Sequence, residues 1–131
     1  MDRSVRQLRV VVTADDYDAA VTFYRDVLGL REEAAFAEEG GRVTILDAGR
    51  ATLEIADPVH AAYIDRVEVG RRVAGHIRLA FEVSDATEAT QRLAATGARV
   101  MADPVRTPWN SLNSRLEGPA GLQLTIFEEM E

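Results

Sequence analysis

The chain has no cysteine and no lysine; all fifteen of its basic residues are arginine. The first absence excludes disulfides, thiolate nucleophiles and zinc–thiolate sites, and fits a cytoplasmic protein. The second excludes Schiff-base chemistry on a lysine amine. Long apolar runs are also missing. The start, Met1-Asp2-Arg3-Ser4-Val5-Arg6, is charged, and no stretch reaches signal-peptide or membrane-span length, so no membrane partner is expected. Basic charge is in deficit: the net charge of −7 repels phosphate backbones, so no nucleic-acid partner is expected either. No glycine-rich phosphate loop and no Ser-His-Asp pattern occurs. What is present is ordinary for a globular chain, 47% hydrophobic and 28% charged over 131 residues, enough for a single domain built from two packed halves.

Those halves share one order of elements. Module one spans about 7–56. It opens on an apolar strand, Leu8–Thr13, and a helix capped by Asp15 or Asp16 and ended by Gly29 follows. Tyr17, Ala20, Val21, Tyr24 and Leu28 recur at helical spacing and predict one buried face. Three short strands come next, near 30–36, 42–46 and 51–55, separated by Glu39-Gly40-Gly41 and Asp47-Ala48-Gly49. The Glu38-Glu39 pair reads as a solvated hairpin tip. Module two spans about 75–128. Its strand 76–83 leads to a helix capped by Asp85 with Glu88 three residues on, an apolar stripe of Ala86, Ala89, Leu93 and Ala94, and Gly97 at the end. Strands near 98–101, 111–117 and 122–127 follow, with an irregular loop at 104–113. The linker, about 57–74, begins Asp57-Pro58, an N-cap with proline at the first helical position, and predicts a short helix near 60–66. His60 reads as a surface residue of that helix.

In the strands near 8–13, 51–55, 76–83 and 122–127, apolar residues alternate with mixed ones. Period two means one face under helices and one mixed face, and two modules curling into one sheet would bring the mixed faces together around a concave site.

The segment Asp16–Leu30, DYDAAVTFYRDVLGL, resembles the glyoxalase/bleomycin-resistance/dioxygenase (vicinal oxygen chelate) superfamily: an apolar strand, an acidic cap, then a helix holding Phe-Tyr and ending Leu-Gly. FEVSDATEATQRLAATGARV in module two, and the tail TPWNSLNSRLEGPAGLQLTIF with its Pro-Trp loop and hairpin, are similar to the same family. The resemblance covers nearly the whole chain. It implies an α+β fold of two βαβββ modules forming a curved mixed sheet with a concave ligand cleft, a homodimer, and a small organic molecule as partner.

Metal-dependent relatives place four His, Gln or Glu ligands on four strands. The matching positions, seven residues before each helix-capping Asp and on the last strand of each module, hold Arg9, Arg78, Glu54 and Thr125. Only Glu54 is a usual ligand, because arginine offers a cation no lone pair. No metal cofactor is therefore expected. The alternative is a divalent ion held by Glu54 and His76, which needs a shifted register on the strand. Arg9 and Arg78 suit an anionic or carbonyl-bearing ligand, or else pair with Glu54 and Glu82. Glu54 is a candidate catalytic base or the counter-charge of an arginine. Trp109 reads as a lid over an aromatic ligand, or as a plug or dimer contact; Phe127 reads as an apolar wall. Two functions follow: a metal-independent protein that sequesters or recognises an organic ligand, or a lyase, isomerase or dioxygenase using Glu54 and His76.

Overall fold

The computed structural model describes residues 5–118 and 121–131. The charged start at Met1–Ser4 and the Pro119-Ala120 part of the tail hairpin lie outside the described residues. Strand β1 (Val5–Thr13) leads to helix α1 (Tyr17–Val21), capped by Asp16 through a bond to the Ala19 N–H. The helix continues over Thr22–Val27 in the wider π winding. Strands β2 (Arg31–Glu38), β3 (Gly41–Ala48) and β4 (Ala51–Ala56) complete module one. Helix α2 (Pro58–Glu68) forms the linker, with Asp57 as its cap. Module two is β5 (Ile77–Val83), α3 (Ala86–Ala95), β6 (Arg99–Arg106), β7 (Ser111–Glu117) and β8 (Gln123–Glu129).

All eight strands join one mixed sheet in the order β2-β3-β4-β1-β5-β8-β7-β6. That order reads the same for both modules outward from the antiparallel β1–β5 junction. In each module the first strand pairs in parallel with the last. The expected alternation sorts the two faces. Leu46 and Ile55 pack with Tyr17 and Val21 of α1, while Leu116 and Ile126 pack with Ala86 and Ala89 of α3.

Three local expectations need correction. The π winding turns Val27 and Leu28 outward, so Leu28 leaves the apolar stripe that regular helical spacing assigned to it. Ala94 is likewise exposed, and Thr90 takes the inward position by bonding the Ala86 carbonyl and Ser114. The stretch after Met101 is not loop: β6 runs through Pro104 to Arg106, which is possible because it is an edge strand and Pro104 forfeits no ladder bond needed by a neighbour on both sides.

Helix α2 is longer than expected, and it lies on the face opposite α1 and α3. Its first turn sits against Gly41, where any side chain would collide with the backbone of His60. Glycine at the start of β3 is thus what lets the linker helix close over the mixed face of the sheet.

Candidate functional site

Pairing register builds the floor. Glu54 on β4 lies beside Val11 on β1, which lies beside Arg78 on β5, which lies beside Gln123 on β8. One row along, Thr52, Arg9, Ala80 and Thr125 stand in the same order. The pairs Arg9–Ala80 and Val11–Arg78 exchange under a twofold rotation, so Arg9 and Arg78 occupy equivalent positions in the two modules. A cavity of about 330 Å³ opens above this floor. Arg9, Glu54, Arg78, Thr125, Trp109 and Phe127, all anticipated, line it. His60, Ile64 and Glu68, one helical turn apart on α2, form its roof.

The two arginines are held differently. Arg9 lies 3.7 Å from Glu54 and 3.7 Å from Glu129. Its Nε donates to Gln7 Oε1 at 2.7 Å, and its guanidinium sits 4.7 Å over the Phe127 ring. Arg78 donates from Nη1 to Thr125 Oγ1 at 2.9 Å and, among the described residues, enters no ion pair. The Thr125 hydroxyl passes its own proton to Glu68 Oε1 at 2.8 Å. Burial pulls the Arg78 guanidinium below its ordinary pKa; Glu68 opposes this and Arg115 adds to it.

Burial raises the pKa of Glu54 above the ordinary 4.5, against the pull of Arg9 and Arg78, and among the described residues its Oε2 has no hydrogen-bond partner. His60, expected at the surface, is buried instead. Its backbone N–H donates to the Asp57 cap at 2.8 Å, which fixes the first turn of α2 and puts the residue in the cavity wall. Burial, followed by the Arg78 charge, lowers its pKa below 6.5, and among the described residues Nδ1 has no hydrogen-bond partner.

His76 is absent from the cavity wall, contrary to the expected place at its edge. Strand β5 begins at Ile77, so His76 stands in the bend before it and is not bound by the alternation that faces Arg78 inward. It is exposed, and its carbonyl accepts from the Thr13 N–H at 2.9 Å. Trp109 sits on the β6–β7 turn, partly exposed, with its ring 6.2 Å from Tyr63 of α2. The turn is tied down by Asn110, which exchanges bonds with the backbone of Met130.

The largest omission of the sequence reading is the charged cluster beneath α2. Arg115 is fully buried. It donates to Asp65 at 2.9 Å and to Glu68 at 3.1 Å and 2.9 Å. Asn113 donates to the other Glu68 oxygen at 2.8 Å, and Arg72 to Asp65 at 2.6 Å. Burial raises the Asp65 carboxyl, but bonds from the Ala74 and Val73 N–H groups and from Arg72 overcome it, with Arg115, and hold it below the ordinary range. A signal existed: Asp65 and Glu68 are three apart on one helical face, and Ser111, Asn113 and Arg115 alternate along one strand face.

The residues do not fit a divalent ion. Of the four strand positions, two carry guanidiniums without lone pairs, and Thr125 is already bonded on both sides. Among the described residues, no three His, Asp or Glu side chains converge on one point. No described helix is long and apolar enough to cross a membrane.

A family model described as the Glyoxalase/Bleomycin resistance protein/Dioxygenase superfamily matches residues 6–126. No curated protein matches the chain. Among solved structures, a hypothetical protein from Bacillus halodurans C-125 superposes with a TM-score of 0.73 at 17% identity, over 98% of this chain and 97% of the other. A Streptomyces coelicolor methylmalonyl-CoA epimerase in complex with 2-nitronate-propionyl-CoA gives 0.69 at 22% identity, over 98% and 100%. A superfamily member from Vibrio splendidus 12B01 gives 0.66 at 13% identity, over 94% and 98%. At these identities the likeness is one of fold.

Proposed function

The chain belongs to the glyoxalase/bleomycin resistance protein/dioxygenase superfamily, and from that premise we propose that its roofed cavity binds a small organic anion without a metal ion. One observation carries this reading: among the described residues, Arg78 faces the cavity with the Thr125 hydroxyl as its one side-chain partner, while Glu54 has Arg9 at 3.7 Å. A half-buried guanidinium with no carboxylate at ion-pair distance among the described residues gains from a counter-charge, and a ligand carboxylate, phenolate or carbonyl oxygen would supply it. Holding such a compound needs no chemistry, and sequestration or recognition follows from binding alone.

Ligand-observed NMR against a panel of aromatic and aliphatic carboxylates tests it. Wild-type protein is expected to bind members of the panel, and Arg78→Leu to weaken them by about 1.5–3 kcal/mol, roughly tenfold to more than a hundredfold. Unchanged binding by Arg78→Leu overturns the reading. Elemental analysis is expected to find no stoichiometric metal, and tight Ni, Zn, Mn or Fe would overturn metal independence.

The second reading is catalytic. The raised carboxyl of Glu54, with one oxygen unbonded, suits a general base acting on a bound carbon acid. Turnover lost in Glu54→Gln with ligand binding intact would favour it. We further propose a homodimer, supported by the exposed Phe23, Val27 and Leu28 and by the open sheet edges at β2 and β6. The cysteine-free composition supports a cytoplasmic setting, and the acidic charge supports small molecules over nucleic acid as partners.

A further inference from the structure

Arg9, Arg78, Glu38, Glu54, Glu68 and Glu129 are the charged side chains of the cavity wall. Arg9 stands 3.7 Å from both Glu54 and Glu129, and Glu68 is held by Arg115 at 2.9 Å. Among the described residues, neither Arg78 nor Glu38 enters an ion pair. One cation and one anion are thus left over on the same wall. Resting on the anion-binding reading, we propose that the ligand is dipolar, an organic acid whose carboxylate meets Arg78 and whose other end carries an ammonium group facing Glu38.

Sheet order keeps the two charges apart. Strands β3, β4 and β1 lie between β2 and β5, so Glu38 and Arg78 belong to strands about 19 Å apart along the sheet at ordinary strand spacing. Register keeps them on one face. Ala34, Phe36 and Glu38 pair with Ile45, Val43 and Gly41 of β3, and Ile45 pairs in turn with Glu54. Between the two ends the wall is apolar, made by Phe36, Val43, Ile45, Val11 and Ala80, and suits an uncharged middle. Arg78 is half-buried and Glu38 exposed, so the carboxylate goes deep and the ammonium end stays near water. The rim near Glu38 is aromatic as well as acidic. Trp109 lines the cavity with the Tyr63 ring 6.2 Å away. The Tyr63 hydroxyl is raised above its ordinary pKa of 10 by partial burial and then by the charges of Glu38 and Glu39, so the acidic hairpin tip acts on the same rim. Aromatic faces beside a carboxylate attract an ammonium ion, and a second carboxylate there would be repelled. At about 330 Å³ the space exceeds the roughly 150 Å³ that encloses one benzene, leaving room for a ring with substituents at both ends.

Calorimetric titration with 4-(aminomethyl)benzoate, 4-ethylbenzoate and 4-(carboxymethyl)benzoate tests this. The three are alike in shape and differ in the charge at one end. Wild type is expected to bind the aminomethyl acid about two- to fivefold tighter than the ethyl acid, the scale of a solvent-exposed ion pair, and the dicarboxylate more weakly than either. The aminomethyl advantage should fall toward one in Glu38→Gln. It should also fall in wild type as salt rises from about 0.01 M to about 1 M, because the screening length shortens from roughly 30 Å to 3 Å. Arg78→Leu should weaken all three acids and keep their order. General damage to the fold would weaken every acid together, so the ratio is the diagnostic quantity. Equal binding of the three, a tighter hold on the ethyl acid or the dicarboxylate, or an aminomethyl advantage that survives in Glu38→Gln overturns the dipolar assignment and leaves anion binding standing. Binding of other carboxylates but of none of these three overturns it equally. If no carboxylate binds, the anion-binding reading falls and this inference falls with it.

Discussion

Glu54 and His60 show how one position in the fold changes what a side chain is. Glu54 sits where burial favours its neutral form, and the nearby guanidiniums only partly restore the charge. Its folded pKa lies above 4.5, so the unfolded chain releases this proton first. The stability it lends is complete below 4.5 and is lost as pH rises toward the folded value. Urea titrations are expected to show wild type losing stability relative to Glu54→Gln as pH is raised from 4.5. His60 has the opposite sign. Its pKa is depressed, so its stability is present above 6.5 and is lost as pH falls through the folded value. Wild type should lose ground against His60→Gln on acidification below 6.5, and an NMR titration of the ring should place its midpoint below that value. A midpoint at or above 6.5 would show that the ring is solvated and is not in the roof.

Helix α2 is the element on which the cavity depends. Without it the mixed face of the sheet is an open trough; with it His60, Ile64 and Glu68 make a roof. Two devices hold it. At its start, Gly41 permits backbone contact with His60. Alanine there forces the helix away, and Gly41→Ala is expected to cost about 1–3 kcal/mol in urea unfolding, the range for overpacked cores. At its end, Arg115 joins Asp65 and Glu68 inside the protein. Arg115→Leu leaves the buried Glu68 carboxylate without its ion-pair partner and Asp65 with Arg72 alone, and a loss of about 3–5 kcal/mol is expected by the same measurement. Glu68 also accepts from Thr125, which in turn accepts from Arg78. The lock on the helix and the ligand-facing guanidinium therefore belong to one hydrogen-bonded chain, and Arg115→Leu should weaken carboxylate binding as well as the fold.

At the scale of the whole molecule, the twofold relation between modules places Arg9 and Arg78 alike on the backbone, and the unlike surroundings of each give them different tasks. Arg9 finds Glu54 and Glu129; Arg78 finds Thr125. The accessible surface, 7421 Å², exceeds the roughly 6,800 Å² of a compact monomer this size, as an open sheet with two free edges requires. With Phe23, Val27 and Leu28 exposed, association in pairs is the expected outcome, and light scattering at micromolar concentration should report twice the chain mass. A monodisperse monomer would refute it.

Much of this was written locally. Alternation along Leu8–Thr13, Ala51–Ile55 and Leu122–Phe127 faced Arg9, Glu54, Thr125 and Phe127 to the cleft, because period two needs no distant partner. The Asp16, Asp57 and Asp85 caps placed three helices by contacts three residues long. His76 was misplaced because alternation stops where the strand stops, and the strand starts one residue later. The π turn that expels Leu28 has no periodic signature of its own. Length, charge, the repeated order of elements and the inward-facing strand residues are properties of neighbours along the chain, and the sequence alone determined them. Which face α2 would cover, that His60 would be buried, and that Arg115 would meet Asp65 and Glu68 depended on residues some fifty positions apart. Those contacts arise only when two modules and their linker pack together, and tertiary structure alone decided them.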